Sequence, residues 1–557
     1  MINPIRPLRL GLALALAVTL ARAAGFVAVY SGPDPQLASP FYGVAVTQNG
    51  TAQESFTYIS RSLDPSDAKI REDVVGGIAA NPVLRRHYTG KDDATVEEIG
   101  RDGQSASWTT FSFSGKATVT VEFKSGPVQD VKVLPTAAGI QPRVEGRRVS
   151  FEVDRPLKLA VVINHRYLNP LFVFADGPEL AVPDATLPGA LVFKPGDPYR
   201  ERLAQAARAS VVIFTPGMHD IGVGFPVSAN QTIYVAGGAY LRGTLFGENA
   251  NNVTIRGRGI IAGDLTPRAV TLANKRTDRL ANLRLCSIAM ISDLNRKSWN
   301  LYFDRPGLGC DNLLIEGVTI ANPAHFFTRL AGTPITVHNV KMVAGWHYNT
   351  DGISAIGMPN VTVYDCFFQC NDDGVYVSPQ GVHIHHCTFW HNDNGSPFQF
   401  NWGGDPITLG GGFIHDCDVI HFGVTRENNN RVVFGSRKSG PGDIAHIRFR
   451  DIRVEGPVWR LFRINTYYSN SSRNAGQPAG SIRDVVFENI ACSGPQLNPS
   501  EVIAQEKAPV GAAPNASKVE QIVFRNVTLQ GRPLAQEDLL LGKTNVSGIV
   551  VEKAVGP

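Results

Sequence analysis

From residue 253 onward the chain repeats itself, and this repeat restricts the possible folds more than any other feature. A run of β-branched or apolar residues, a polar or glycine corner and a second apolar pair recur. They occur at 253–260, 313–320, 335–343, 361–368, 382–389, 413–420, 447–454, 485–490 and 522–529. The corners are Gly257, Gly317, Asn339, Asp365, His386, Asp416, Asp451, Asn489 and Asn526. Several spacings fall at 21–26 residues and others at 30–38, with one long interval that holds an insertion at 264–310. That is the length of one solenoid turn with variable loops. Gly, Asn and Asp at the corner suit a left-handed or bent backbone. A leucine-rich solenoid shares the period, but its leucine scaffold and its helix per repeat are missing. The pattern predicts a right-handed parallel β-helix. Cys366, Cys387 and Cys417 follow the corner in three successive repeats. Equal positions stack ~4.8 Å apart in such a fold, so a buried thiol ladder is expected.

The chain before the repeat has another rhythm. Short alternating strands are expected at 26–30, 43–48, 109–113, 117–123, 131–134, 148–153, 157–164 and 171–174, with Gly, Pro and Asp turns between them. This is the signature of a β-sandwich. With 557 residues the chain exceeds a single core. The expected organisation is a signal peptide at 1–23, a sandwich at 24–182, a linker at 183–209 and the β-helix at 210–557. The fold class is all-β. Arg6 and Arg9, the apolar run 10–20 and Ala21-Arg22-Ala23 form the signal pattern. A secreted or periplasmic protein without a membrane anchor is expected. The net charge is only +4 and no long basic run occurs, which makes nucleic acid a poor candidate partner. The seven cysteines include no CxxC pair, so no structural zinc is expected. Nothing points to a cofactor or an obligate protein partner.

Within the repeat, Asn-Thr-Asp-Gly at 349–352 and Asn-Asp-Asp-Gly at 371–374 place Asp351, Asp372 and Asp373 beside short apolar runs. Asp351 lies 14 residues before Asp365, and Asp372 lies 14 before His386. This count makes Asp351 and Asp372 register mates on adjacent turns. Asp373 would then point the other way unless Gly374 bends the strand. A single Asp there reads as a turn cap. Two matching motifs with a vicinal acid pair read as acid/base machinery, because like charges so close hold one group protonated beside an ionised one. Trp346, Tyr348 and Trp402 are candidate faces for sugar rings. Asn349, Asn371 and Asn401 are candidate hydrogen-bonding groups, and Arg463 is a candidate cleft cation. Trp390 and Phe398 fit either core or cleft. His383, His385 and His386 alternate on one strand and fit a turn and core role better than a metal site.

The order of Asn-Thr-Asp-Gly, Asn-Asp-Asp-Gly, His-Asn-Asp-Asn-Gly-Ser-Pro (391–397) and Leu-Phe-Arg-Ile-Asn (461–465) resembles glycoside hydrolase family 49, the dextranases and isopullulanase. The resemblance implies a sandwich followed by a β-helix. It also implies an inverting hydrolase with Asp372 as general acid and Asp351 and Asp373 activating water. Family 28, the polygalacturonases, is more distantly similar. Its Gly-His-Gly motif is absent, and Asn465 stands where its Arg-Ile-Lys motif has lysine. A uronate polymer calls for cations at the cleft, so this loss favours a neutral α-glucan such as dextran, with endo action expected. The alternatives are a pectic hydrolase, a non-catalytic carbohydrate-binding solenoid and, less favoured, a lyase. Inversion also requires carboxyl groups roughly 6.5–9.5 Å apart, wider than stacked positions begin.

Overall fold

The computed structural model describes residues 25–62, 68–292, 309–356, 358–377, 380–400, 409–423, 431–438, 442–467, 479–505 and 517–552. The signal segment, Asn401 and Trp402 lie outside the described residues.

The chain divides into two compact units, one of residues up to 59 with 106–182, the other of 60–105 with 183–557. In the first unit, one sheet runs in the order Phe26–Val29, Ser105–Ser114, Leu171–Asp176, Leu157–Ile163, Val131–Leu134. The other runs Thr51–Ser55, Tyr42–Gln48, Ala117–Phe123, Arg148–Val153, Arg143–Glu145. Alternate residues of the two sheets, such as Val44, Val46, Phe111, Val119, Val121, Phe151 and Val161, share one apolar core. That shared core makes the pair a β-sandwich.

The second unit is a parallel β-helix. Three short strands form each central turn, for example Val361–Tyr364, Phe367–Cys370 and Val375–Tyr376, and each pairs in parallel with its counterpart one turn on. All nine corner residues have positive φ, from Asn526 at 51° to Gly257 at 134°. The repeat count therefore identified the bends that separate one face from the next. One continuous core fills the coil with Val, Ile and Phe from successive turns. Phe449 and Phe487 stack at 5.0 Å, and Phe487 and Phe524 at 5.3 Å. The thiol ladder is present. All seven cysteines are buried and free. Burial, then the thiols of Cys366 and Cys417, push the Cys387 thiol well up. Trp390 and Phe398 take the core reading, with 1% and 0% exposure. His385 and His415 stack at 5.2 Å, and His383 lies 4.5 Å from His385, in a ring column along the coil.

Two boundaries differ from the expectation. Residues 60–105 belong to the β-helix unit and are helical, with helices Ala68–Ala80, Pro82–Thr89 and Val96–Gly100. The signals stand in the sequence. Asn81 caps Pro82–Thr89 before a proline, Gly90 closes it at φ 71°, and Thr95 with Glu98 forms a capping box. The segment is held to the coil by the Tyr88 hydroxyl at 3.1 Å from His421 Nε2 and by the Trp346 indole N–H, which donates to Ser60 Oγ at 2.9 Å. Nor is 183–209 a free linker. Ala190–Phe193 pairs in parallel with Val211–Phe214, so the coil begins there, and Phe193, Tyr199 and Ala206 join its core.

Candidate active site

The strands Thr328–Leu330, Ile353–Ser354, Val375–Tyr376, Phe398–Gln399, Phe434–Lys438, Phe462–Thr466 and Ser500–Ile503 stack on one face. Register fixes which side chains share a column. Arg329 pairs with Ser354, Tyr376 with Gln399, Gln399 with Gly435, Gly435 with Arg463 and Arg463 with Glu501. Ile353 pairs with Val375. Gly352 N–H donates to the Asp373 carbonyl and Ile353 N–H to that of Gly374.

This pairing corrects the predicted register. The mate of Asp351 is Asp373, and Asp372 stands opposite Thr350. The count back from the corners fails because the loop leading to His383–His385 is one residue shorter than the loop leading to Val361–Tyr364. Laying the two Asn-x-Asp-Gly motifs directly over each other gives the correct pairing.

The three acids are buried, at 4% for Asp351, 7% for Asp372 and 1% for Asp373. Their partners differ. Asp372 accepts from Asn349 N–H at 2.8 Å and from Asp373 N–H at 3.1 Å. Asp373 Oδ1 accepts from Ser396 N–H at 3.2 Å and from Gln399 Nε2 at 3.0 Å. The Tyr376 hydroxyl lies 2.9 Å from Asp351 Oδ2 and 3.1 Å from Asp373 Oδ2. Asp351 Oδ1 is buried and has no partner among the described residues. Burial first, then the charges of Asp372 and Asp373, push the Asp351 carboxyl well above the usual carboxylate range; Tyr376 and Arg329 act against this. The cluster therefore places a carboxyl pushed toward its neutral form beside two that receive donors, a juxtaposition suited to acid/base catalysis.

The surrounding candidates divide. Asn349 (φ 65°) supplies the N–H to Asp372, and its side-chain oxygen accepts from Arg268 at 3.2 Å. Arg268 also donates to the Tyr348 carbonyl. It belongs to helix Arg268–Thr277, so the insertion clamps the turn that carries Asp351. Trp346, Tyr348 and Asn349 are half-buried. The Asn371 side chain is engaged with the backbone. It is 2% exposed, and its amide bridges two backbones, donating to the Trp346 carbonyl at 2.7 Å and accepting from Asn394 N–H at 2.9 Å. Arg463 sits on the cleft column but is bound to Glu501 at 2.8 Å, and Glu501 also holds Arg460 at 2.9 Å and Asn465 at 3.0 Å. Arg463 is thus part of a buried ion-pair network. The sequence reading does not single out Tyr376 or Arg329, although extending the motif alignment to Ser354 and Tyr376 finds the tyrosine. The buried pair Arg431–Asp393, at 2.8 Å, was also missed.

Residues 213–533 match the family model described as glycosyl hydrolases family 28. The chain belongs to this family. It is a glycoside hydrolase, and the motif resemblance to the family 49 type holds alongside this match. The chain is 23% identical over 482 residues to a dextranase of Arthrobacter globiformis, covering 75% of this chain and 70% of that protein. It is 24% identical over 367 residues to a dextranase of Talaromyces minioluteus, covering 57% of each. Among solved structures, Dex49A from Penicillium minioluteum has the same fold. Its TM-score is 0.69 at 16% identity, covering 94% of this chain and 96% of that one.

Proposed function

We propose that this glycoside hydrolase cleaves dextran, a neutral α-glucan, by inversion and within the chain, with Asp372 as general acid and the Asp351–Asp373 pair activating water. The observation that carries the reading is the shared Tyr376 hydroxyl. It keeps the nearer oxygens of Asp351 and Asp373 within roughly 6 Å of each other, below the ~6.5–9.5 Å that an inverting pair needs to admit a water. In this reading the two acids act together on one side of the bond, with Asp372 as the opposing partner. In the step, water adds to the anomeric carbon and gives its proton to the pair. The glycosidic C–O bond breaks, and its electrons go to the leaving oxygen, which takes the proton from Asp372.

The neutral substrate is supported by Glu501. It engages Arg460, Arg463 and Asn465, the residue at the family 28 lysine position, so the Arg463 guanidinium already has a carboxylate. The dextranase relatives supply the polymer. The segment 1–23 is read as an export signal, and no helix among the described residues is long and apolar enough to cross a membrane.

The test is a panel of purified dextran, pullulan and polygalacturonate, with the anomer of the first product followed by NMR. Reducing ends from dextran, with the anomer opposite to the bond cut, are expected. Asp372→Asn is expected to lose about 10²–10⁴-fold in kcat with an unchanged melting temperature. Release from polygalacturonate alone would replace dextran with a uronate polymer. Wild-type rates in Asp372→Asn would remove the acid assignment.

A further inference from the structure

A tyrosine hydroxyl carries one hydrogen, yet Tyr376 stands within hydrogen-bond distance of two carboxylate oxygens. The contacts are 2.9 Å to Asp351 Oδ2 and 3.1 Å to Asp373 Oδ2, with the tyrosine 6% exposed. It can donate to one of them. The other oxygen, if ionised, would face the phenol's lone pairs, negative against negative in a low-dielectric site. The contact is attractive on both sides only when one of the two acids brings its own proton and donates it to the phenol oxygen.

The other carboxyl oxygens indicate which acid that is. Asp373 Oδ1 receives both the Ser396 N–H and the Gln399 amide, which favour its ionised form. Asp351 Oδ1 is buried and receives no donor among the described residues. We propose that Tyr376 is a positioning residue that makes Asp351 and Asp373 share one proton, held by Asp351 at rest, so that Asp373 is the ionised base. The chain runs from the Asp351 Oδ2–H to the Tyr376 oxygen, and from the Tyr376 O–H to Asp373 Oδ2.

The charged and titratable groups around Asp351 are Asp372, Asp373, Tyr376, Arg329 and the thiols of Cys286 and Cys370. Burial and the two neighbouring acids favour a neutral Asp351, in agreement with the geometry. When Asp373 takes the proton of the attacking water, the pair holds two protons. It returns one to solvent as Asp372 regains its own.

This inference rests on the acid/base reading above, and the experiment separates the two. In Tyr376→Phe, Asp373 loses a donor and is harder to ionise. The acid limb of the kcat/KM pH profile is expected to move up by about one unit, with KM unchanged. Superimposable profiles with only a lower kcat would overturn the proposal. A second measurement needs no folded Tyr376 variant. Protonated-carboxyl infrared absorption is expected in the wild-type protein at neutral pH, from the acid Asp372 and from Asp351, and Asp351→Asn is expected to remove the Asp351 part. A protonated-carboxyl absorption that Asp351→Asn leaves unchanged would equally overturn it. An active Asp372→Asn would instead remove the underlying reading, whatever Tyr376 does.

Discussion

Gly395 lies in the His-Asn-Asp-Asn-Gly-Ser-Pro segment, where the turn after the acids passes across them. Its φ is +81°, and a Cβ there would stand 2.4 Å from the Asp372 carbonyl carbon, 2.6 Å from Asp373 N and 2.7 Å from Asp372 Cα. All three atoms are backbone, so no side chain can swing away. Ordinary contact begins at 3.4 Å, so Gly395→Ala must move the Asp372–Asp373 peptide by about 1 Å. The left-handed backbone alone costs an alanine roughly 1–2 kcal/mol. A displacement of that size at the reacting groups lowers kcat by about 10²-fold. Gly531 separates the two effects: its φ is +78°, and nothing lies within 4 Å of its Cβ position. Reducing-end release from dextran and thermal melting are measured for both variants. Gly531→Ala is expected to lose stability at wild-type kcat, and Gly395→Ala to lose both. A Gly395→Ala enzyme with the kcat of Gly531→Ala would refute the claim that this glycine exists to let the acids pass.

Three further outcomes follow from the site. Arg431→Met leaves Asp393 buried without its guanidinium and is expected to cost ~3–5 kcal/mol in denaturant unfolding, part of which Asp393→Leu in the same chain should restore. Arg268→Ala removes the charge-assisted donor to the Tyr348 carbonyl and Asn349, worth roughly 1.5–3 kcal/mol, so kcat should fall about tenfold or more while the melting temperature moves little. Burial lowers the His391 pKa to about 4. The unfolded chain therefore binds the proton first, and stability is expected to fall as pH drops from 6.5 to 4, by about 3 kcal/mol in all. Denaturant unfolding of wild type and His391→Asn across that window checks this, since the variant should show a flatter slope.

The corner residues show what a repeat makes legible. All nine were read from spacing and residue type, and all nine have the positive φ those types favour, because a bend is a local property. The sandwich strands were legible for the same reason, as alternation is written residue by residue. The helices of 60–105 were equally local, with Asn81-Pro82 and the Thr95–Glu98 box in plain sight. The strand rhythm on either side masks them.

Register is a different matter. A loop one residue shorter moved the partner of Asp351 from Asp372 to Asp373. No single turn contains that information, because it depends on how two turns align across their whole length. The roles of Asn371 and Arg463 changed for a related reason. An amide or guanidinium in a motif does not reveal whether a carbonyl 25 residues away or a glutamate 38 residues away already holds it. By itself the sequence determined the solenoid, the sandwich and the three acids, since all three are written in local periodicity and residue type. Only the tertiary structure decided that Asp351 and Asp373 face one tyrosine hydroxyl, because that contact exists only once consecutive turns are stacked in register.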